Sequence, residues 1–176
     1  MSTPSHDKRS AAPRRHRHLN VRDLCTRDPV TVMRDDSIVD CARRMHERHV
    51  GSVVVVERRM GAEVPIGMIT DRDIAIEVVA FDVAARTITA GDLMSGDLAV
   101  VRPTDDVLTV LATMREHGVR RLPVIGEDGS LEGIVTADNL WEVLAEAIDG
   151  LARLVSSEQA RERKTRAARS VQGQSR

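Results

Sequence analysis

The segment Val50–Val56 reads VGSVVVV, and the segment Val119–Ile125, which follows 69 residues later, reads VRRLPVI. Both are short apolar runs rich in branched side chains, a composition typical of buried β-strands. The same offset aligns Val21–Val56 with Ala90–Ile125 without a gap, and nine of the 36 aligned positions are identical. A repeat of this length indicates an internal duplication.

Beyond these segments the first copy holds three extra residues, after which Gly67–Thr70 (GMIT) aligns with Gly133–Thr136 (GIVT). Each copy predicts the order strand, helix, strand, strand, helix, because short apolar runs alternate with apolar residues spaced three and four apart. The sequence Glu127-Asp128-Gly129 is typical of a hairpin turn. Its counterpart Arg58–Val64 predicts a longer, looser loop. The predicted strands are Pro29–Met33, Val53–Val56, Ile66–Ile69, Leu98–Arg102, Leu122–Ile125 and Ile134–Val135, and the predicted closing helices are Ile74–Ala80 and Leu140–Leu154.

One such unit, with about three strands and two helices, buries too little surface to be stable alone. We therefore expect an α/β (α+β) fold in which two units related by a pseudo-twofold axis pack sheet to sheet, with a cleft along the axis. The predicted organisation is a disordered basic tail (1–20), a first unit (21–80), a linker (81–89), a second unit (90–148), and a helical extension with a disordered basic tail (149–176).

The distribution of charge and of aromatic residues bears on nucleic-acid binding. The net charge of −1 combines +4 in residues 1–20, +5 in residues 151–176 and −10 between them. The basic tails permit contact with nucleic acid or an acidic partner, but solubilising disorder is the preferred interpretation. Phe81 and Trp141 are the only aromatic residues apart from histidine, which limits stacking on bases.

The sequence predicts a cytoplasmic protein that is not an enzyme. It holds no membrane-length apolar run, no secretory signal, no readable nucleophile–base set and no metal-binding motif. Cys25 and Cys41 are expected to be reduced, buried and inert. The apolar residues of the last helix extend beyond what closes the second unit and predict a dimer helix; they are Leu144, Ala147, Ile148, Leu151, Leu154 and Val155.

The best candidate site is Thr70-Asp71-Arg72-Asp73, where a predicted strand meets a helix. Free backbone N–H groups at such a point favour an anion such as phosphate. The Asp73 carboxylate is able to accept two hydrogen bonds from a vicinal diol such as that of ribose, and Arg72 is able to contact a phosphate. The alternative interpretation is a capping box that only satisfies the helix end.

The motifs and their order resemble two tandem cystathionine-β-synthase (CBS) domains, together a Bateman module of the stand-alone bacterial CBS-pair type. The resemblance covers roughly residues 21–147. It implies binding of an adenosine-containing ligand (AMP, ADP, ATP, NAD(H) or S-adenosylmethionine), no required cofactor, and pairing into homodimers. It rests on Asp23-Leu24, Val50–Val55, Gly67–Asp73, Ala90–Met94, Val119–Ile125 and Gly133–Leu140.

The resemblance also implies a nucleotide site in each unit. In the first, Thr70 and Asp73, with Arg72, hold the phosphate and ribose, the backbone of Thr31 and Val32 meets the adenine edge, and Ile66 and Val53 form apolar walls. The second site is predicted to be weaker, because Asn139 lacks the charge of Asp73 and the loss costs about tenfold in affinity. Its predicted residues are Thr136, Asn139, Val101, Arg120, Arg121 and Pro123, although Arg120 and Arg121 equally suit a solvated surface pair.

The expected function is therefore a regulatory or sensor module that binds an adenosine ligand between its two repeats. The alternative is a ligand-free structural dimer or protein-interaction scaffold. Nucleic-acid association through the basic tails is the weakest of the three, because the core is acidic and lacks aromatic platforms.

Overall fold

A computed structural model describes residues 19–173. The first repeat contains α1 (Val21–Leu24), β1 (Thr31–Met33), α2 (Ile38–Arg48), β2 (Ser52–Arg59), β3 (Ala62–Thr70) and α3 (Asp71–Asp73), which continues as a π-helix over Ile74–Val79. The second contains α4 (Ala90–Leu93), α5 (Val107–His117), β4 (Arg121–Ile125), β5 (Leu131–Thr136) and α6 (Ala137–Gly173). The predicted mixed fold of two related units is confirmed.

The first sheet has the order β1-β2-β3, in which β1 is parallel and β3 antiparallel to β2. The second sheet has only β4 and β5, and its predicted first strand is reduced to a single parallel bridge between Val101 and Val124. Val54 donates its N–H to the carbonyl of Val30 at 2.9 Å. Pro123 occupies the aligned position and has no N–H to donate, which explains the shorter pairing.

The hairpin of the first repeat is tighter than predicted. β2 continues to Arg59 and β3 begins at Ala62, so the prediction of a loose loop over Arg58–Val64 is wrong. Met60 and Gly61, which form the turn, have φ values of 51° and 86°. Two consecutive positive φ values match the twist of a two-residue hairpin.

Each sheet packs one face against helices. Val53 and Val55 of β2 face the first core, while Val54 and Val56 are equally buried on the opposite face, as the alternation of a strand requires. β3 contacts β5, so the two sheets meet as predicted. The first core comprises Val32, Ile38, Cys41, Met45, Val53, Val55, Ile69, Val78 and Ala90, and the second comprises Val21, Val101, Val110, Met114, Leu122, Val124, Val135 and Leu140.

The two repeats exchange their first helices. Val21 of α1 lies in the second core, and Ala90 of α4 lies in the first. Backbone bonds fix both positions reciprocally: Val21 donates to the carbonyl of Asp105 at 2.9 Å, and Ala90 donates to the carbonyl of Asp36 at 2.8 Å. The sequence repeats 21–80 and 90–148 are therefore not separate packing units.

Helix α6 runs to Gly173, and thus extends through residues 156–173, for which the sequence predicts disorder. After Gly150 the chain is rich in Ala, Arg, Glu and Gln and holds no further Gly or Pro before Gly173, a composition that favours helix. The predicted N-terminal tail lies outside the described residues except for Leu19 and Asn20. Within residues 19–173 the structure contains no helix apolar and long enough to span a bilayer.

Cys25 and Cys41 are free thiols. Cys41 is 0 % exposed in the first core, and burial raises the pKa of its thiol to about 11. Burial also raises the pKa of the Cys25 thiol.

We expect Cys41 to resist iodoacetamide at about pH 8 in the folded protein and to react after unfolding in urea, because access and thiolate formation are both suppressed. The unfolding free energy should also fall as the pH rises from 9.0 towards 11, since the unfolded thiol ionises first. Mass spectrometry of wild type and Cys25→Ser checks the labelling, and urea titration of wild type against Cys41→Ala checks the pH dependence. Equal labelling rates for Cys41 in the folded and the unfolded protein would contradict the expected protection.

Candidate functional site

A cavity of about 400 Å³ lies where the end of β3 meets loops of the second repeat. This volume is within the range of small-molecule sites, roughly 300–1,000 Å³. The first repeat contributes the end of β3 and the start of the following helix, and the rest of the wall comes from residues after residue 94. The lining residues are Met68, Thr70, Asp71, Arg72, Asp73, Ser95, Asp97, Leu98, Ala99, Gly118, Val119, Arg120 and Arg121.

Thr70 and Asp73 form a capping box at one side of the cavity. The Asp73 Oδ2 atom accepts hydrogen bonds from the backbone N–H and the hydroxyl of Thr70, each at 2.8 Å. The Thr70 hydroxyl accepts from the Asp73 N–H at 3.2 Å. Within the described part of the chain no group donates to Asp73 Oδ1. The capping role is therefore filled by one carboxylate oxygen, and the other remains available to a ligand hydroxyl.

The helix that starts at this box widens at once into the π-helix Ile74–Val79. Short π-helical turns are rare and occur often at functional sites. In the second repeat, α6 starts at Ala137 as an ordinary α-helix. The two repeats therefore differ in backbone geometry next to their otherwise similar capping boxes.

The cavity is highly charged, with Arg72, Arg120 and Arg121 facing Asp71, Asp73 and Asp97 around its wall. Gly51 lies beside it, where Asp71 Oδ2 and Arg121 Nη2 come within 3.1 and 3.4 Å of the point that a Cβ atom on Gly51 would occupy. The missing side chain thus lets a carboxylate of one repeat and a guanidinium of the other approach the same point. Guanidinium groups suit the planar, bidentate recognition of phosphate or carboxylate.

The second capping box differs chemically. Asn139 Oδ1 accepts from the Thr136 N–H and hydroxyl at 2.9 Å each, and Asn139 donates its own N–H to the Thr136 hydroxyl at 3.3 Å. The carbonyl oxygen is the only side-chain acceptor of asparagine. This box therefore keeps an N–H₂ donor but has no second acceptor for a diol.

The structure brings Thr70, Arg72 and Asp73 together and adds Arg120 and Arg121 to them. Arg120 and Arg121, which are predicted for the second site, also line this first cavity. At the aligned positions the first repeat has Gly51 and Ser52. Arg121 pairs with Thr136 across β4 and β5, and the Arg120 carbonyl accepts the Ala137 N–H at 2.9 Å. The arginine pair therefore adjoins both boxes, and the second box differs by its missing carboxylate.

The other predicted residues lie elsewhere. Thr31 lines a separate surface depression with Asp28 and Arg44. Val32 and Val53, at 2 % and 1 % exposed, belong to the first core, and Ile66 packs against it. Val101 is 3 % exposed in the second core, and Pro123 is buried in β4. The side chains of Val32, Val53 and Val101 thus face the helices and offer no surface to a cleft.

The sequence interpretation missed the residues that replace these walls, namely Ser95, Asp97, Leu98, Ala99, Gly118 and Val119. The internal repeat is the sequence feature that could have identified some of them. Asp97–Ala99 align with Asp28–Val30, just before β1, so the corresponding segment of the opposite repeat lies at this cavity.

The described residues contain no group of three or more His, Cys, Asp or Glu side chains arranged to hold a metal ion.

The sequence profile of the CBS domain matches residues 21–80 and 90–145. The chain belongs to the CBS domain family. Among curated CBS-type relatives, an uncharacterised protein of Methanopyrus kandleri is 34 % identical over 127 residues, which span 72 % of this chain and 63 % of that protein. The CBS domain-containing protein YhcV of Bacillus subtilis is 32 % identical over 121 residues, spanning 69 % of this chain and 82 % of its own.

Solved CBS-pair structures share the fold. The CBS domain protein PAE2072 of Pyrobaculum aerophilum, complexed with AMP, has a TM-score of 0.63 at 24 % identity and covers 69 % of this chain and 90 % of its own. The CBS domain pair of protein MJ0100, in complex with 5′-methylthioadenosine and S-adenosyl-L-methionine, has a TM-score of 0.65 at 20 % identity. The match covers 73 % of this chain and 98 % of that structure's chain.

Proposed function

We propose that this CBS pair is a regulatory module that binds one adenosine-containing ligand in the cavity between its repeats. The observation that carries the proposal is the meeting of Thr70 and Asp73 of one repeat with Arg120 and Arg121 of the other around about 400 Å³ of space. CBS pairs of the same fold are known in complex with AMP and with S-adenosyl-L-methionine, which supports this ligand class.

In the proposed complex, Asp73 Oδ1 accepts from the ribose hydroxyls, which need an acceptor that the capping box leaves open. Arg72, Arg120 and Arg121 contact phosphate oxygens through charge-assisted hydrogen bonds. Leu98, Ala99 and Val119 supply apolar surface for the adenine ring. The surroundings of Asn139 bind less tightly or not at all, since an amide whose oxygen is already used replaces the carboxylate there.

The proposed role is regulatory rather than catalytic and needs no permanent cofactor. The ligand would change which surfaces the module presents to a partner. We also propose that the chain acts as a homodimer, and in the cytoplasm, where the free thiols of Cys25 and Cys41 stay reduced.

Thermal and urea unfolding with AMP, ADP, ATP, NADH and S-adenosylmethionine tests this function. A ligand at 100 times its Kd should add about 2.7 kcal/mol to the unfolding free energy. We expect the gain with wild type and with Asn139→Ala, but not with Asp73→Ala. The two variants are matched because each removes the capping side chain of one box.

No gain with any of the five compounds would refute the sensor function. A gain that survives Asp73→Ala and disappears in Asn139→Ala would move the site to the second repeat.

A ligand-free scaffold is the second candidate, and the exposed apolar side chains favour it. Val79, Phe81 and Leu108 are 70 %, 70 % and 74 % exposed. Large exposed apolar surfaces mark contact sites for proteins. A scaffold would keep its partner contacts unchanged when the adenosine compounds are added.

A further inference from the structure

Helix α6 leaves the body of the protein within two turns. Leu140 is 6 % exposed in the second core and Val143 is half-buried, but every residue from Leu144 to Gln159 is exposed. A helix outside tertiary contact is marginal in water, and Gly150 within it lowers its helix propensity further. This part of α6 therefore needs a packing partner.

The exposed apolar residues of α6 follow a coiled-coil repeat. Trp141, Leu144, Ile148, Leu151 and Val155 are spaced three, four, three and four residues apart. They are 66 %, 48 %, 58 %, 63 % and 53 % exposed, respectively. The spacing is that of the inward-facing a and d positions of a heptad. Trp141, Ile148 and Val155 take a positions, and Leu144 and Leu151 take d positions.

The residues beside this seam allow two identical helices to approach. The flanking e and g positions hold Ala145, Ala147, Ala152 and Leu154, none of which is charged. The charges lie on the outer side, where Arg153 and Asp149 form an ion pair at 2.7 Å. Since like charges at e and g would oppose pairing of two copies, their absence favours a second copy as the partner.

We propose that two copies of this chain pair through residues 141–155 of α6 as a parallel, two-stranded coiled coil. The β-branched residues Ile148 and Val155 at a positions, together with leucine at d positions, favour this arrangement. Glu158 and Glu162 take the next d and a positions, so the seam ends after Val155. Counting Leu154 with the five seam residues of each helix, at about 100 Å² for each side chain, pairing buries roughly 1,200 Å² in total, the lower bound of a specific interface.

The inference specifies the interface of the proposed homodimer and does not depend on ligand binding. Light scattering of the full chain should give twice the 19.4 kDa of the monomer. Leu151→Glu places two carboxylates in the seam, and we expect the dissociation constant to rise at least about a hundredfold. Arg153→Glu, two residues away on the outer side of the same helix, should leave the dimer intact. Circular dichroism should show that both variants stay folded.

Cross-linking tests the direction of the helices. Val155 lies at the far end of the seam, so only a parallel, in-register pair brings its two copies together. Val155→Cys should form a covalent dimer under a mild added oxidant, whereas wild type, with its two native thiols, and Arg153→Cys should not.

Three results would overturn the inference. A monomeric wild type refutes both the homodimer and its interface. A dimer that survives Leu151→Glu keeps the homodimer but moves its interface away from α6, for example to Val79, Phe81 and Leu108. If Leu151→Glu abolishes the dimer but Val155→Cys forms no cross-link, the parallel register is refuted.

Discussion

The double variant Arg120→Ala/Arg121→Ala is expected to bind a phosphorylated adenosine ligand at least about 100-fold more weakly than wild type. Both guanidinium groups line the cavity across from Thr70 and Asp73. A hydrogen bond to a charged group contributes about 1.5–3 kcal/mol, and each 1.4 kcal/mol is a factor of about ten in affinity. The loss should therefore appear directly in isothermal titration calorimetry.

The control ligand is adenosine, which lacks phosphate and should lose little affinity in the double variant. The control variant is Arg115→Ala, which removes an exposed cation from the last turn of α5 and should bind as wild type does. Equal losses for adenosine and its phosphates would show that the arginines support the fold of the cavity rather than the phosphate. An unchanged affinity for the phosphates would exclude both residues from the site.

Gly133→Ala should lower the free energy of unfolding by about 3 kcal/mol, the upper part of the range for overpacking. A Cβ atom on Gly133 would lie 2.7 Å from the carbonyl oxygen of Thr26 and 3.2 Å from the Cys25 sulfur. Thr26 and Ile134 exchange two backbone hydrogen bonds of 2.9 Å, so this carbonyl cannot retreat without breaking the bridge.

Urea denaturation measures the change, and Gly96→Ala is the matched control. A Cβ atom on Gly96 would meet no atom within 4 Å, so that variant should stay within about 0.5 kcal/mol of wild type. A Gly133→Ala protein as stable as Gly96→Ala would mean that the segment after α1 is not held against β5 as described.

Much of the fold follows from local sequence patterns. The repeat, the apolar spacing of α2 and the runs around Val53 and Leu122 predict the elements correctly because burial and periodicity are local properties. The capping box at Thr70 is also readable, since its partners lie three residues apart. The longer helix after residue 156 was missed because its polar composition suits disorder and helix equally well.

The walls of the site depend on contacts that no local pattern contains. The resemblance implies a wall at Val53 and an adenine contact with the backbone of Val32, but strand alternation turns both side chains towards the helices. Arg120 and Arg121 adjoin the box of their own repeat, but only the packing of the two repeats shows that they also line the cavity at Thr70. Pro123 differs, because a single local feature decides the outcome there: its missing N–H shortens a predicted strand.

The exchange of α1 and α4 constrains how this module can move. A clamshell opening between the repeats would pull Val21 out of the second core and Ala90 out of the first, and both are 0 % exposed. A bound ligand is therefore expected to act by small sliding displacements of packed helices, the shear type of motion, rather than by a hinge. The signal would then leave the cavity through the helices that begin at its edge, α3 with its π-helical continuation above all.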